Sequence, residues 1–301
     1  MLKIAVSYDN KGDLTGDYKS IETFYDNLAK YYDEKWWYNN PDSRHIKILV
    51  YEIIYSQVLQ GSLVLDVGCG TCDTPIKLLS KNCKIIGLDI SFNMLAVAKE
   101  KIPENYKNKI SLIEGNAEKL PFNDNIFDYL LSEFTIDYVK NPKTAIEEML
   151  RVLKKDGKLL LIFSNIKPIY IVFWESLIGN LNFVKKLKKN KDDISFPYLK
   201  IKTQFKRYSE NDLKTIINGL PIKKIKIIGT HGLSGFIGYP ILLLGLFINS
   251  FEKKKLKIKD IDHFIKMKGE RIIFNIFKKG ENIDRHFNSI GRDIIFIGKK
   301  I

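Results

Sequence analysis

The stretch LVLDVGCGTCDT, residues 63–74, decides the fold of this chain. Its apolar first half, residues 63–67, predicts a buried strand, and the Gly-Cys-Gly after it allows a tight turn close to a ligand because glycine has no Cβ. The run KIIGLD, residues 84–89, predicts a second strand that ends in a carboxylate. An acidic residue about 20 positions after a glycine turn can accept hydrogen bonds from both hydroxyls of a ribose. The two runs therefore predict a nucleotide-binding α/β unit.

The charges around this turn argue against a dinucleotide ligand. A dinucleotide fingerprint continues as G-x-G-x-x-G, but Asp73 stands in the third glycine position, where its carboxylate would repel a pyrophosphate. Asp66, near the end of the first strand, adds another negative charge. We expect a ligand that carries positive charge and no phosphate.

Apolar runs continue along the chain at a spacing typical of alternating strands and helices. Further strands are predicted at residues 110–114, 127–132, 157–163, 222–228 and 292–299. Helical spacing is found at residues 21–35, 44–59, 94–101, 142–153 and 209–218. This alternation predicts a doubly wound, Rossmann-like α/β fold with a seven-stranded sheet covered by helices on both faces.

The pattern divides the chain into three regions. Residues 1–60 are predicted to form an N-terminal helical lid and residues 61–166 the ligand-binding α/β core. Residues 167–301 are predicted to form a basic, apolar cap, which also contributes the last strands of the sheet at 222–229 and 292–299.

Charge is distributed unevenly between the two halves of the chain. Residues 1–160 contain 21 Lys and Arg against 23 Asp and Glu, whereas residues 161–301 contain 28 against 12. With 301 residues, 45% of them apolar, the chain can bury a core and is not a disordered type. The basic half indicates an anionic partner, either nucleic acid, an anionic membrane surface or an acidic substrate, unless the lysines only solvate exposed faces.

The cysteines and histidines give no sign of a metal site. Cys69, Cys72 and Cys83 are too few for a disulfide framework, which favours a reducing, cytoplasmic location. Cys69 and Cys72 form a C-x-x-C, but no second pair exists, so two small side chains in a ligand loop are the preferred interpretation. The histidines lack metal-ligand spacing, and we expect no bound metal.

Two segments bear on the location of the protein. The N-terminus has no long apolar stretch, so we expect no signal peptide. Residues 227–251 contain 25 consecutive uncharged positions, enough to span a bilayer, but their glycines and Pro240 favour a helix over the active site or in the membrane interface. A peripheral membrane association is therefore expected rather than a transmembrane one.

Five motifs together resemble those of the class I S-adenosylmethionine (SAM)-dependent methyltransferases. VLDVGCGT is similar to their first motif, IIGLDIS to the second and EGNAEKLPF to the third; FDYLLSEFTIDYV and EEMLRVLKKDGKLLLI are similar to the fourth and fifth. They cover residues 63–162 in the family's order. Within the superfamily the chain resembles the ubiquinone/menaquinone C-methyltransferase, or methyltransferase type 11, branch. YDNLAKYYD, residues 25–33, looks like the helix that these enzymes fold over the cofactor.

The resemblance implies that SAM is the cofactor and suggests which residues bind its methionine and ribose parts. Gly68 and Gly70 would lie beneath the methionine part. Asp66 would help to hold its ammonium group, and Tyr25 would reach its carboxylate. Asp89 would bind the ribose hydroxyls.

The same resemblance implies the contacts of the adenine and of the methyl-transfer end. Asn116 would accept a hydrogen bond from the adenine amino group, and Ala117 would offer backbone to the ring. Ser132 and Glu133 would line the methionine end. The chain departs from the family at Cys72, where a third glycine is usual, and at Asn116, where an aspartate is common.

Methyl transfer from a sulfonium is an in-line displacement, which needs alignment and exclusion of water but not always a base. Asp137 and Tyr138 are the candidates if a base is used, since the resemblance places them where relatives often carry histidines. The alternative is that both only cap or pack the following turn.

The expected acceptor is an amphiphilic or acidic small molecule, lipid- or isoprenoid-like, presented from an anionic membrane surface. The reason is that the cap pairs apolar segments (169–177 and 236–247) with lysine clusters (185–191 and 253–259). A basic second half would also suit an RNA methyltransferase of the tRNA wobble-uridine type, which is the first alternative. A second alternative is a non-catalytic binding protein that keeps the fold and docks on a membrane.

Overall fold

The computed structural model describes residues 17–34, 41–165, 173–174, 176–177, 191–195, 202–230 and 292–301. Most of the apolar and lysine-rich segments expected in the cap lie outside these residues, as does the expected interfacial helix beyond residue 230. Within the described residues, no helix combines the length and apolar character needed to cross a bilayer.

Nine strands and six α-helices make up the described fold. The helices are α1 (Asp17–Leu28), α2 (Pro41–Gln57), α3 (Asp73–Leu78), α4 (Phe92–Lys101), α5 (Pro142–Val152) and α6 (Glu210–Ile217). The strands are β1 (Leu63–Val67), β2 (Lys84–Asp89), β3 (Ile110–Glu114), β4 (Phe127–Glu133), β5 (Leu153–Ser164), β6 (Lys191–Ser195), β7 (Lys202–Lys206), β8 (Ile222–Gly229) and β9 (Asp293–Lys300).

Seven strands form one sheet in the order β3-β2-β1-β4-β5-β9-β8, and β6 pairs with β7 in a separate two-stranded sheet. All neighbouring pairs from β3 to β5 are parallel, and only β9 runs antiparallel to its neighbours β5 and β8. The prediction of a Rossmann-like seven-stranded sheet is confirmed. The strand order reverses between β1 and β4, which is where ligands of open α/β sheets bind.

Side chains alternate between the two faces of this sheet, and both faces are covered. Leu131 joins the apolar core that contains residues of α2, α3 and α4, whereas its neighbour Leu130 joins the core that contains residues of α5 and α6. Because both faces are buried, the central strands are almost continuously apolar rather than alternating. This property made them recognisable in the sequence.

Local capping residues set where the flanking helices begin. Ser91 caps α4 by accepting a hydrogen bond from the backbone N–H of Met94. Asn141 caps α5 in the same way through Thr144, with Pro142 in the first turn. These caps hold the helix starts, and with them the loops after β2 and β4, at the carboxyl edge of the sheet.

Candidate active site

A cavity lies at the carboxyl ends of β1, β2, β3 and β4, beneath the N-terminal segment. Its empty volume is about 790 Å³ when counted out to its solvent-open mouth. Tyr18, Ile21 and Tyr25 of α1 line one side, together with Tyr32 from the turn after that helix. Helix α1 therefore lies against the carboxyl edge of the core.

The floor of this cavity is the glycine turn after β1. Gly68 and Gly70 have φ angles of +76° and +52°. A residue with a side chain would be strained in this left-handed conformation. A Cβ on Gly68 would also lie 1.9 Å from the Oγ1 atom of Thr135. The backbone N–H groups of Gly68 and Cys69 both donate to the carbonyl of Leu88, which ties the turn to the end of β2. Glycine at position 68 is thus required by both conformation and space.

Cys72 takes the place of the family's usual third glycine without blocking the turn. It has a φ angle of +58° and directly precedes α3. Its thiol and that of Cys69 are buried and both pack against the backbone of Gly87 in β2. The structure places the C-x-x-C inside the ligand loop, with side chains small enough to fit over a glycine.

Asp89 ends β2 and lines the cavity. Its Oδ2 atom accepts from the N–H of Gly70 at 2.8 Å, and its Oδ1 atom accepts from the N–H of Ser91 at 2.9 Å. Burial raises the pKa of this carboxyl group, against the lowering effect of the backbone donors. Each carboxylate oxygen can accept a second hydrogen bond, so Asp89 can both hold the glycine turn and bind a vicinal diol.

Asn116 and Ala117 line the same cavity after β3, where the adenine contacts are expected. The Oδ1 atom of Asn116 accepts from the backbone N–H of Glu118 at 2.8 Å, which orients the amide. Glu118 in turn accepts a hydrogen bond from the hydroxyl of Tyr18 on α1. The loop after β3 is therefore fastened to the lid.

A second, smaller cavity adjoins the first on the other side of the glycine turn. Its empty volume is about 380 Å³, and it is lined by Lys47, Asp66, Asp73 and Glu133 among others. The two cavities share Tyr32, Gly68, Gly70, Glu133 and Phe134 as lining residues. They form two chambers of one site.

Asp66 is 2% exposed, and its Oδ1 atom has no hydrogen-bond partner among the described residues. Burial raises the pKa of Asp66 well above its usual range, and the charge of Glu133 raises it further, while Lys47 lowers it. An unpartnered buried carboxylate oxygen is costly unless a donor reaches it. An ammonium group of a ligand is such a donor, so this residue fits the methionine part of SAM.

Lys47 of α2 forms a buried ion pair with Glu133, with 3.0 Å between Nζ and Oε2. Although burial lowers the pKa of Lys47, the carboxylates of Glu133 and Asp73 more than offset this, so the amine stays charged. Ser132, the other residue expected here, is fully buried, and its hydroxyl has no partner among the described residues. Glu133 thus faces the site, whereas Ser132 lines neither chamber.

The two candidate bases lie in different surroundings. Tyr138 lines the larger chamber and packs edge to face against Tyr25, with 5.4 Å between ring centroids and a hydrogen bond between their hydroxyls. Asp137 is fully buried, and its carboxylate accepts the backbone N–H of Ser164 at 3.1 Å. Burial raises the pKa of both groups. Asp137 lines a small neighbouring pocket with Lys206 and not the larger chamber, so Tyr138 is the better placed of the two.

Several site residues lie outside the sequence prediction. Thr135 and Phe134 follow β4 directly and could have been inferred from their position in the fourth motif. Tyr32 belongs to the aromatic lid segment, which the sequence did indicate. Lys47 had no signal except that it is a charged residue within an apolar helix.

Three features define a nucleotide-binding site of the Rossmann-like methyltransferase type. They are the glycine turn after β1, the carboxylate of Asp89 at the end of β2, which can accept the hydroxyls of a ribose, and the strand order of the seven-stranded sheet. A protein-family model described as a methyltransferase domain matches residues 65–161. An uncharacterised protein of Methanocaldococcus jannaschii is 35% identical over 217 residues, which are 70% of this chain and 78% of that protein. The chain belongs to the class I SAM-dependent methyltransferase superfamily.

Two further comparisons show how far the likeness reaches. A demethylmenaquinone methyltransferase of Oceanobacillus iheyensis is 43% identical over 108 residues, 35% of this chain. The match covers 45% of that relative, so this chain spans about half of its length. The solved structure of the [4+2]-cyclase SpnF has a TM-score of 0.58 at 17% identity and covers 95% of this chain and 97% of its own. That likeness concerns the fold alone, which does not determine the reaction.

Proposed function

We propose that the protein transfers the methyl group of SAM to an apolar or amphiphilic small molecule, lipid- or isoprenoid-like. The observation that carries the proposal is the apolar wall of the larger chamber. That wall consists of aromatic and aliphatic side chains: Ile21, Tyr25, Phe134, Tyr138 and Val139. Such a surface binds an acceptor by burial of apolar area and stacking rather than by ion pairing.

The residues that line the two chambers fit the cofactor. SAM supplies an electrophilic methyl group on a positively charged sulfur, with a neutral thioether as leaving group. Asp89 would accept the ribose hydroxyls, Asn116 would face the adenine, and Asp66 would receive the ammonium group. The turn at Gly68 and Gly70 leaves room for the backbone to approach the ligand.

The chain then contributes alignment and exclusion of water rather than a strong base. Burial keeps the pKa of Tyr25 and of Tyr138 above the usual phenol range, so both are neutral hydrogen-bonding groups at neutral pH. Glu133 is engaged with Lys47. The lid, whose Tyr25 ring is packed between Tyr32 and Tyr138, screens the reacting atoms from solvent. Alignment of bound reactants can supply about 7–11 kcal/mol of a barrier.

The comparisons support this acceptor class without deciding it. The relative from Oceanobacillus iheyensis is named as a demethylmenaquinone methyltransferase, and it is 43% identical over 108 residues. The same apolar wall also speaks against a bare RNA strand, because the described part of the chamber presents no cationic side chain on it.

The test is a methyl-transfer assay with labelled SAM against three acceptor pools: an isoprenoid hydroquinone in detergent micelles, bulk tRNA, and small polar amines. We expect label in the organic extract of the first pool. Ile21→Glu, which places a charge on the apolar wall, should abolish that transfer while S-adenosylhomocysteine still binds. Ile48→Glu, at a position on α2 that is 36% exposed, is the control.

Label found only in tRNA, or only in the amines, would refute the apolar acceptor. A folded protein that fails to bind S-adenosylhomocysteine in titration calorimetry would refute methyl transfer as its function and leave a binding protein that keeps the fold.

A further inference from the structure

A small third pocket adjoins the apolar wall of the larger chamber. Its empty volume is about 270 Å³. Four residues line both the pocket and the larger chamber: Tyr18, Ile21, Tyr138 and Val139. The other lining residues of the pocket are Asp137, Lys140 and Lys206. No lysine, arginine or histidine lines the described part of the larger chamber, so the two lysines of the pocket stand directly beyond its apolar wall.

Lys206 ends β7 and is fixed to the loop after β4 by two hydrogen bonds. Its backbone N–H donates to the carbonyl of Asp137 at 2.8 Å, and its amine donates to the carbonyl of Lys140 at 3.1 Å. Within the part of the chain that the structure describes, neither lysine amine forms an ion pair. Because an ammonium group has three N–H donors, Lys206 keeps donors for a ligand.

Asp137, the acidic residue among those described as lining the pocket, does not neutralise these lysines. Its carboxyl group is fully buried and accepts the backbone N–H of Ser164 at 3.1 Å. Burial raises the pKa of Asp137 well above its usual range, although the N–H of Ser164 and the charge of Arg207 lower it. The pocket therefore has an excess of positive charge on its lysine side.

We propose that this pocket is the subsite for an anionic group of the acceptor, a carboxylate or a phosphate, held by Lys206 and Lys140. The apolar body of the acceptor then lies against Ile21 and Val139 in the larger chamber. The inference rests on the proposed function and deepens it, since it makes the acceptor an acidic amphiphile. An anion at this place forms charge-assisted hydrogen bonds, which a neutral head group cannot match.

The two lysines would determine which acceptor binds and would not affect the cofactor. Neither of them lines the larger or the smaller chamber, where the cofactor residues lie. Lys206 also lies outside residues 65–161, which the methyltransferase domain matches. A change at Lys206 should therefore alter acceptor binding and leave the affinity for S-adenosylhomocysteine unchanged, which separates the two sites in one protein.

The experiment is titration calorimetry with the full chain saturated with S-adenosylhomocysteine. The probes are decanoate, decyl phosphate and decanol, which have the same alkyl chain and differ in the head group. We expect the wild type to bind the two anions more tightly than decanol. In Lys206→Gln the affinity for the anions should fall roughly 5- to 20-fold, with less than about a twofold change for decanol, because the lysine is partly exposed and solvent screens its charge.

Two further variants sharpen the result. Lys206→Arg keeps the charge and should keep the preference for the anions. Lys143→Gln removes an exposed lysine of α5 that lines neither the pocket nor the chambers, and it should change no affinity. If Lys206→Gln does not fold, Lys140→Gln, at an exposed position, tests the same preference.

Equal binding of all three probes by the wild type would overturn the subsite and leave the apolar wall intact. An anion preference that persists when Lys206 and Lys140 are both glutamine would overturn it as well, because the anion then binds elsewhere. A loss that is equal for decanol and the anions would show that Lys206 only supports the packing of β7 on α1. A wild type that binds S-adenosylhomocysteine but none of the probes contradicts the apolar acceptor of the proposed function instead.

Discussion

Replacement of Asp89 by asparagine tests the cofactor site at the residue on which most of its geometry depends. The carboxylate accepts one backbone N–H from Gly70 and one from Ser91, through different oxygens. Asparagine has one acceptor oxygen, so its amide NH2 group must face one of these two donors. The variant therefore disturbs the glycine turn before any ligand arrives.

The expected loss follows from the hydrogen bonds removed. Two bonds from ribose hydroxyls to a charged carboxylate are worth about 1.5–3 kcal/mol each, and asparagine keeps part of one. We expect a loss of about 2–4 kcal/mol, or about 30- to 1000-fold in the dissociation constant of S-adenosylhomocysteine. Titration calorimetry at neutral pH measures it, with circular dichroism to verify folding.

Asp128→Asn is the matched control for Asp89→Asn. Asp128 also accepts a backbone N–H, from Leu63 at 2.9 Å, and it pairs with Lys154, but at the opposite edge of the sheet. Its loss should lower the melting temperature without changing affinity more than threefold. A folded Asp89→Asn protein that loses less than fivefold in affinity would refute the assignment of Asp89 to the ribose.

Three further predictions concern the turn and the buried carboxyl groups. Gly68→Ala should unfold the turn and abolish binding of S-adenosylhomocysteine, because its Cβ would overlap Thr135. Gly61 has a similar φ of +77° but open space around it, so Gly61→Ala is the control. It should lower the free energy of unfolding by only about 1–2 kcal/mol in a denaturant titration. Binding of the ligand ammonium at Asp66 should release a proton, since burial raises the pKa of this carboxyl group in the free protein. The measured heat of binding should then differ between phosphate and Tris buffers, and the affinity for S-adenosylhomocysteine should rise with pH. Asp137 has a pKa well above its usual range through burial, so its protonated form stabilises the fold at low pH, and this stabilisation is lost as the pH rises from about 4. Asp137→Asn should flatten that part of the melting temperature profile.

The fold could be predicted where local sequence carries it. β1, β2 and β3 have the bounds that the apolar runs predicted. β1 and β2 are almost entirely buried, whereas β3 is an edge strand whose Ser111 and Glu114 are exposed. β5 begins at Leu153, four residues before the predicted start at residue 157. The prediction missed this start because Lys154, Lys155 and Asp156 are charged and resemble a turn in the sequence. Asp156 has a φ angle of +65°, and the pairing of β4 with β5 shifts register nearby. Polar residues in an irregular strand give no periodic signal.

The charge asymmetry predicted a basic surface that binds an anionic partner, but it did not predict where in the fold the lysines would lie. Lys223, Lys224 and Lys226 are exposed on β8, an outermost strand of the sheet. Because β8 runs in the same direction as β5, these residues lie towards the amino edge, away from the cofactor chambers. A net charge counted along the chain thus has no direct relation to the side of the molecule on which ligands bind.

The floor of the candidate site was predictable, whereas of its walls only the aromatic segment at residues 25–33 was indicated by the sequence. The reason is the distance along the chain between contacting residues. The floor is made of short loops that follow single strands, so each contact lies within a few residues of a recognisable run. The walls come from α1, α2 and the segment between them. Asp33 of that segment accepts a hydrogen bond from Thr71 beside the glycine turn, and Asp26 of α1 accepts one from Ser91 beside Asp89. These pairs depend on where the sheet places its loops relative to two earlier helices. The residues that complete this site are therefore ordinary in sequence and acquire their chemistry only from the packing of the fold.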